Sequence, residues 1–141
     1  MNGKYFIDTN VFVYMFDQRF PDKRKKARAI VEHAVNDEAG VISYQVIQEF
    51  FNAASKKFAK PMTMYECLYT LDSVFSPLCM VFPSIEFYKK ALGIKEEVGC
   101  SVYDALIIEA AVQEKCSILY SEDLQDGRII AGVKIQNPFK D

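Results

Sequence analysis

Short β-prone runs alternate with longer amphipathic segments along the whole chain, and this alternation constrains the fold more than any other feature. The runs are KYFID at Lys4–Asp8, GVIS at Gly40–Ser43, CMVF at Cys79–Phe82 and SILY at Ser117–Tyr120, with a further strand expected at Lys134–Gln136. Helix-length segments between successive strands are typical of right-handed crossovers in a parallel sheet. The pattern therefore predicts an α/β fold, with a central, mostly parallel sheet of about four to five strands and helices on both faces.

The helical segments are recognised by apolar residues that repeat with a helical period. In the segment Pro21–Asp37, Ala27, Ile30, Val31 and Ala34 fall on one face. Thr9 and Asn10 are candidate caps of the first helix, and Thr63 and Glu66 have the spacing of a capping box. The other predicted helices are Thr9–Phe16, Tyr44–Lys57, Pro61–Ser76, Ser84–Val98 and Ser101–Lys115.

Length and composition predict one domain spanning residues 1–141, rich enough in apolar residues to form a substantial core. The sequence shows no signal-peptide pattern and no apolar run long enough for a membrane span, so we expect a cytoplasmic protein without membrane contact. The four cysteines are widely spaced and the single histidine, His33, has no partner at zinc spacing, so a structural zinc site is not expected.

Four acidic residues occur where connections leave the predicted strands or where helices begin: Asp8, Glu49, Asp104 and Asp123. In parallel α/β sheets, functional sites lie at the carboxyl ends of the strands, so these acids can converge although they are distant in sequence. Clustered carboxylates repel one another unless a cation neutralises them, and oxygen ligands suit Mg²⁺ or Mn²⁺. Such an ion can activate water for phosphodiester hydrolysis.

Each acid also has a simpler structural interpretation. Asp8 can cap the following helix, Asp104 can close a capping box with Ser101, Glu49 can belong to a solvated helix face, and Asp123 can be a loop acid. Asp8 and Asp104, however, lie within strongly apolar runs, where an unpaired charge is costly. The combination of the four acids, rather than any one of them, favours a metal site.

The segments IDTNVFVYMFD, ISYQVIQEFFNAASKK and SVYDALIIEAAVQEKCSILYSEDLQDG together resemble the PIN-domain family, specifically VapC-type toxins of toxin–antitoxin pairs. The resemblance covers nearly the whole chain in the right order. It implies a PIN fold, an Mg²⁺- or Mn²⁺-dependent endoribonuclease acting on structured RNA such as tRNA, a homodimer, and inhibition by a cognate antitoxin. It assigns Asp8 and Asp104 as metal ligands and Glu49 and Asp123 as the remaining acids.

The resemblance leaves the fourth acid open, because the last motif varies within the family. Asp126 is the reserve for Asp123, and Asn10 and Ser121 are expected to support the acids. A basic stretch is a candidate RNA-binding surface, although a solvated helix face is an alternative for it; its members are Arg19, Lys23, Arg24, Lys25, Lys26 and Arg28. Lys56, Lys57 and Lys60 form a smaller basic group.

Two other functions remain open at this point. A catalytically weak or inactive PIN module could act through protein or RNA binding alone. A phosphotransfer domain of receiver type also has a small parallel α/β fold, but it needs an acid pair beside the first strand and a phosphoacceptor after the third. Here the third strand is followed by Phe82, Pro83 and Ser84, so that function is disfavoured.

Overall fold

The computed structural model describes residues 3–140, and within that range six strands form one sheet. The strands are β1 Tyr5–Ile7, β2 Gly40–Ser43, β3 Cys79–Val81, β4 Ile118–Tyr120, β5 Ile129–Ile130 and β6 Val133–Gln136. The helices are α1 Thr9–Tyr14, α2 Pro21–Asp37, α3 Tyr44–Lys57, α4 Met64–Thr70, the short α5 Ser76–Leu78, α6 Ile85–Val98 and α7 Val102–Gln113.

The sheet order is β3-β2-β1-β4-β6-β5, and every neighbouring pair is parallel except β5 with β6. Phe6 at the centre of the sheet pairs with Val41 on one side and Leu119 on the other. The predicted α/β fold with a mostly parallel sheet is therefore confirmed. The additional strand, β5, has only two residues and forms a hairpin with β6, which makes it too short for an alternation pattern to reveal.

The predicted helix Pro61–Ser76 has a different course in the structure. It begins at Met64, because Thr63 is an extended N-cap that forms a complete capping box with Glu66. Beyond Thr70 the chain continues as a π-helical segment, Leu71–Phe75, before α5. The capping-box prediction is thus confirmed, and it explains why Pro61 lies outside the helix.

The core lies where helices cover the buried central strands. Phe6 and Ile7 in β1 are fully buried, as is Leu119 in β4. Helix α7 packs on β1, β2 and β4, and its residues from Ala105 to Ala111 are all buried. None of the helices within the described residues is both long and apolar enough to span a membrane.

Candidate active site

An open cleft of about 330 Å³ lies at the carboxyl ends of the central strands. Asp8 follows β1 directly, Asp123 lies three residues beyond β4, Glu49 is on the helix that follows β2, and Asp104 is in the first turn of α7. All four acids line this cleft, together with Thr9, Asn10, Gln45, Asn52, Ala53, Lys56, Lys57, Tyr103 and Ile107. The parallel order of β2, β1 and β4 brings their ends to one edge of the sheet.

Asp8 is fixed by hydrogen bonds to both carboxylate oxygens. It is the N-cap of α1, and its Oδ1 accepts a bond from the backbone amide of Thr9 at 2.7 Å. Its Oδ2 accepts a bond from the Oγ of Ser121 at 2.9 Å. The N-cap is therefore Asp8, not Thr9 or Asn10, and the cap does not exclude a place in the cleft.

Glu49 is held from two helices. The hydroxyl of Thr9 donates to its Oε1 at 2.6 Å, and the side-chain amide of Gln45 donates to its Oε2 at 3.1 Å. The same amide nitrogen lies 3.3 Å from the carbonyl oxygen of Tyr103, beside Asp104. Gln45 therefore connects the helix of Glu49 to the first turn of the helix that carries Asp104.

Asp123 and Asp104 complete the lining of the cleft. The side-chain amide of Asn10 donates to Oδ2 of Asp123 at 2.7 Å, which ties the segment after β4 to α1. The backbone amide of Asp104 donates to the Oγ of its N-cap, Ser101, at 3.1 Å. The cap bond uses the amide of Asp104 and leaves its carboxylate available on the cleft side.

The cleft raises the pKa of Asp8 to about 6. Burial of the carboxylate is the main cause, and the negative charges of Glu49 and Asp123 add to it. The hydrogen bonds from Thr9 and Ser121 oppose the shift without cancelling it. Charge on Asp8 is thus disfavoured until a cation or a proton compensates it.

Asp126, the reserve for the fourth acid, points its carboxylate elsewhere and is not among the described residues that line the cleft. Its Oδ1 accepts a bond from the backbone amide of Asn137 at 2.8 Å, and its Oδ2 lies 3.5 Å from the Nζ of Lys140. The Asn137 bond is the main reason that its pKa is lowered.

The basic stretch predicted to bind RNA is also outside the set of described residues that line the cleft. Arg19 forms a two-bond ion pair with the nearly buried Asp17, and Arg28 donates to the carbonyl oxygen of Met15 at 3.1 Å. Lys23 pairs with Glu122. In their place Lys56 and Lys57, from the end of α3, lie in the cleft itself.

Sequence reasoning missed the roles of Thr9 and Gln45. Gln45 precedes Glu49 by one helical turn, and that i, i+4 spacing is the signal that could have revealed the hydrogen bond. The bond from Thr9 to Glu49 joins residues 40 positions apart and has no local signature.

The side chains as placed do not form a ready ligand cluster. Within residues 3–140, no three or more His, Cys, Asp or Glu side chains come close enough together to hold a metal ion. Glu49 and Asp123 are instead engaged with Thr9, Gln45 and Asn10.

The fold and the cleft define a small, mostly parallel α/β domain whose acidic site lies between three adjacent strand ends and the first turn of α7. The model of the PIN domain family matches residues 5–127, and this chain belongs to that family. No curated protein sequence matches it significantly.

Solved structures with the same fold cover almost the entire chain. A toxin–antitoxin complex from Klebsiella pneumoniae has a TM-score of 0.69 at 19% identity, covering 96% of this chain and 98% of that one. FitAcB from Neisseria gonorrhoeae has a TM-score of 0.64 at 14% identity and coverages of 96% and 98%. VapBC2 from Rickettsia felis, bound to a promoter DNA fragment, has a TM-score of 0.59 at 20% identity and coverages of 94% and 97%.

Proposed function

We propose that this protein is a metal-dependent endoribonuclease that hydrolyses RNA phosphodiester bonds at the cleft of Asp8, Glu49, Asp104 and Asp123. The observation that carries the proposal is the meeting of these four acids around one open cleft in a PIN domain. The single histidine of the chain, His33, lies on α2 and is not among the described residues that line the cleft. No histidine of the described lining can therefore act as a general base.

The residues present fit Mg²⁺ or Mn²⁺ by their chemistry. The acidic lining offers only oxygen donors, which these ions prefer. Mg²⁺ binds proteins through one or two carboxylates and retains several waters, so a three-acid cluster is not a requirement for it. A cation beside Asp8 would also offset the burial and repulsion that raise its pKa.

Asp8 and Asp104 would hold the ion, and Glu49 and Asp123 would hold it directly or through its waters. When bound, the ion supplies a water of lowered pKa and stabilises negative charge on the phosphate. Thr9 and Gln45 fix the orientation of Glu49, and Asn10 fixes that of Asp123. Hydrolysis adds the water oxygen to phosphorus and breaks one phosphorus–oxygen ester bond, leaving a phosphate on one fragment and a hydroxyl on the other.

Lys56 and Lys57 would bind the RNA backbone next to the hydrolysed bond, because they bring positive charge into the cleft itself. The basic stretch from Arg19 to Arg28 stays a prediction for more distant phosphates. Replacing Lys56 and Lys57 together with alanine should weaken RNA binding and reduce its salt dependence. A double variant that binds RNA with unchanged affinity and salt dependence would remove these lysines from the proposal.

The experiment that tests the nuclease proposal is RNA cleavage by the purified protein with tRNA and ribosomal RNA as substrates. We expect cleavage in Mg²⁺ or Mn²⁺, loss of cleavage in EDTA, and recovery when metal is restored. Cleavage that persists in EDTA would contradict the metal mechanism. Sequencing of the fragment ends would identify the RNA and the position cut.

The second part of the proposal is a toxin role with a cognate antitoxin as partner. A solved structure named as a toxin–antitoxin complex matches 96% of this chain, which supports this role. An apolar groove of about 440 Å³ between α2 and α4 is a candidate antitoxin site, with Val31, Val35 and Val74 in its lining and Tyr69 59% exposed. A short neighbouring gene whose product co-purifies with this protein would support the pairing.

A homodimer is the proposed assembly, and an apolar patch on α6 and α7 is its candidate interface. Three exposed apolar side chains line a small cavity there, where the two helices pack together: Tyr88, Leu92 and Val102. Patches of this kind often mark protein interfaces. Leu92→Glu should yield a monomer that still binds the antitoxin, whereas Tyr69→Glu should lose the antitoxin and stay dimeric, each measured by light scattering and pull-down.

The alternative function is an inactive PIN module that acts through binding. The retention of all four acids at the cleft disfavours it. Calorimetric titration with Mn²⁺ separates the two functions, because a saturable site that disappears in Asp8→Asn is expected only for the nuclease.

A further inference from the structure

The ammonium group of Lys23 is enclosed by one carboxylate and three aromatic rings. Its Nζ lies 2.6 Å from Oε2 of Glu122 and 3.2 Å from the hydroxyl oxygen of Tyr14. It also lies 4.8 Å from the ring centre of Tyr14, 5.5 Å from that of Phe20 and 5.7 Å from that of Phe139. The positive charge of Lys23, which the sequence predicts to bind RNA, is therefore engaged in contacts within the protein.

The partner of Lys23 lies between two residues of the cleft. Glu122 follows Ser121, which donates to Asp8, and precedes Asp123, which accepts from Asn10. Glu122 itself accepts a bond from the hydroxyl of Tyr14 at 2.8 Å. Ser121 is thus bonded to Asp8, whereas Glu122 and Asp123 are bonded to two side chains of α1. These two side chains, Tyr14 and Asn10, are one helical turn apart.

We infer that Lys23 is a positioning residue for Asp123: by pairing with Glu122 inside the aromatic enclosure, it fixes the segment that carries the fourth acid. This inference rests on the proposed function only for its catalytic consequence. The structural link itself, from Lys23 through Glu122 to Asp123, can be measured without catalysis.

The enclosure makes this ion pair stronger than an ordinary surface pair. The side chains of Lys23 and Glu122 are 35% and 22% exposed, and the aromatic faces add cation–π attraction to the lysine. Without Lys23, the hydrogen bonds of Glu122 to side chains within residues 3–140 would be reduced to the one from Tyr14. The charge of Glu122 would then repel the neighbouring Asp123 without the counter-charge of the lysine. Displacements of about 1 Å in catalytic groups are enough to lower rates strongly.

The test compares Lys23→Met, which keeps an unbranched apolar side chain in the enclosure, with Lys23→Arg, which keeps the charge. Lys89→Met is the matched control, because it removes the same charge from an exposed position on α6. Glu122→Gln removes the other member of the pair. Circular dichroism and thermal melting verify that each variant is folded.

We expect Lys23→Met and Glu122→Gln each to lower kcat at saturating RNA by about ten-fold. Each should also raise the Mg²⁺ concentration for half-maximal activity by about ten-fold, as is usual when a group that orients a metal ligand is lost. KM for RNA should stay unchanged, the double variant should be no worse than either single variant, and Lys23→Arg should recover most of the activity. A rise in KM with kcat unchanged would overturn the inference, because it would make Lys23 a phosphate contact.

A second readout is independent of activity. In NMR spectra of the metal-free protein, Lys23→Met should shift the side-chain amide signals of Asn10 and speed amide exchange at Leu124, whose amide donates to Ser121. Lys89→Met should leave both unchanged. Spectra of Lys23→Met that match the unmodified protein at these sites would overturn the positioning role. If the unmodified protein cleaves no RNA, the proposed function fails while this readout still decides the link.

Discussion

Thr9 donates its hydroxyl hydrogen to Glu49 across 2.6 Å, and this bond joins the helix after the first strand to the helix after the second. The backbone amide of the same residue donates to Asp8. A single nearly buried threonine therefore orients two of the four cleft acids.

Replacing Thr9 with valine tests this arrangement, because valine keeps the shape and removes only the hydroxyl. We expect nuclease activity to fall by about ten-fold or more, since Glu49 loses the bond that orients it. Thr9→Ser keeps the hydroxyl and should retain most activity. Equal activity in the valine and serine variants, measured by initial rates at saturating Mg²⁺, would show that the bond has no role.

The raised pKa of Asp8 predicts how the metal-free protein responds to pH. Between about pH 4 and pH 6 the folded protein retains a proton that the unfolded chain releases, so stability falls as pH rises through this window. The loss from this group is at most about 3 kcal/mol. Urea unfolding in EDTA at several pH values measures it, and Asp8→Asn should abolish this component. If the fall in stability between about pH 4 and pH 6 persists in Asp8→Asn, another titrating group must cause it.

Metal binding should depend on pH in the opposite direction. A proton on Asp8 competes with the cation, so Mn²⁺ affinity should rise with pH until Asp8 is ionised above about pH 6. Calorimetric titration at pH 5, 6 and 7 checks this expectation. An affinity that does not change over this range would mean that Asp8 does not bind the ion.

Two glycines make a matched pair for stability. A Cβ on Gly40 in β2 would meet the Cβ of Ala34 at 2.3 Å, so Gly40→Ala must push α2 away from the sheet. We expect a loss of about 1–3 kcal/mol in the free energy of unfolding. Gly93 is inside α6 with open space around it, and Gly93→Ala should stabilise the protein by up to about 1 kcal/mol. Denaturant unfolding measures both, and equal effects would contradict the packing described here.

The fourth acid can be assigned by comparing two aspartates. Asp123→Asn should lower nuclease activity strongly, because Asp123 lines the cleft and is held by Asn10. Asp126→Asn should lower stability slightly and leave most activity, because Asp126 instead bonds Asn137. Greater loss of activity in the Asp126 variant, at equal folded fraction, would reverse the assignment.

Periodicity and turn chemistry were sufficient to predict most of the fold. The predicted and observed bounds are identical for three elements: the helix Pro21–Asp37, the strand Gly40–Ser43 and the helix Tyr44–Lys57. These elements carry strong local signals, namely an apolar face repeated over several turns or a short apolar run beside a long helix. The two-residue β5 and the π-helical segment after α4 carry no such signal.

The sequence predicts which acids line the cleft but not the hydrogen bonds that connect them. Asp8 and Asp104 stand out because charge inside an apolar run is costly. The contacts that each lysine forms could not be predicted from the sequence in the same way. Lys23 and Lys25 look equivalent in the sequence, yet Lys23 lies in an aromatic enclosure that includes Phe139, more than a hundred residues away. Only the folded chain decides which charges remain available for RNA.

RNA cleavage by Asp8→Asn and Asp104→Asn, measured beside the unmodified protein in Mg²⁺, tests the central claim most directly. Both substitutions retain the size of the side chain, and Asp8→Asn removes a charge that burial makes costly, so the variants should remain folded in circular dichroism. We predict that each variant loses cleavage and saturable Mn²⁺ binding, while the unmodified protein cleaves until EDTA is added. Cleavage at an undiminished rate in both folded variants would contradict the account, because the acids of the cleft would then not be the catalytic site.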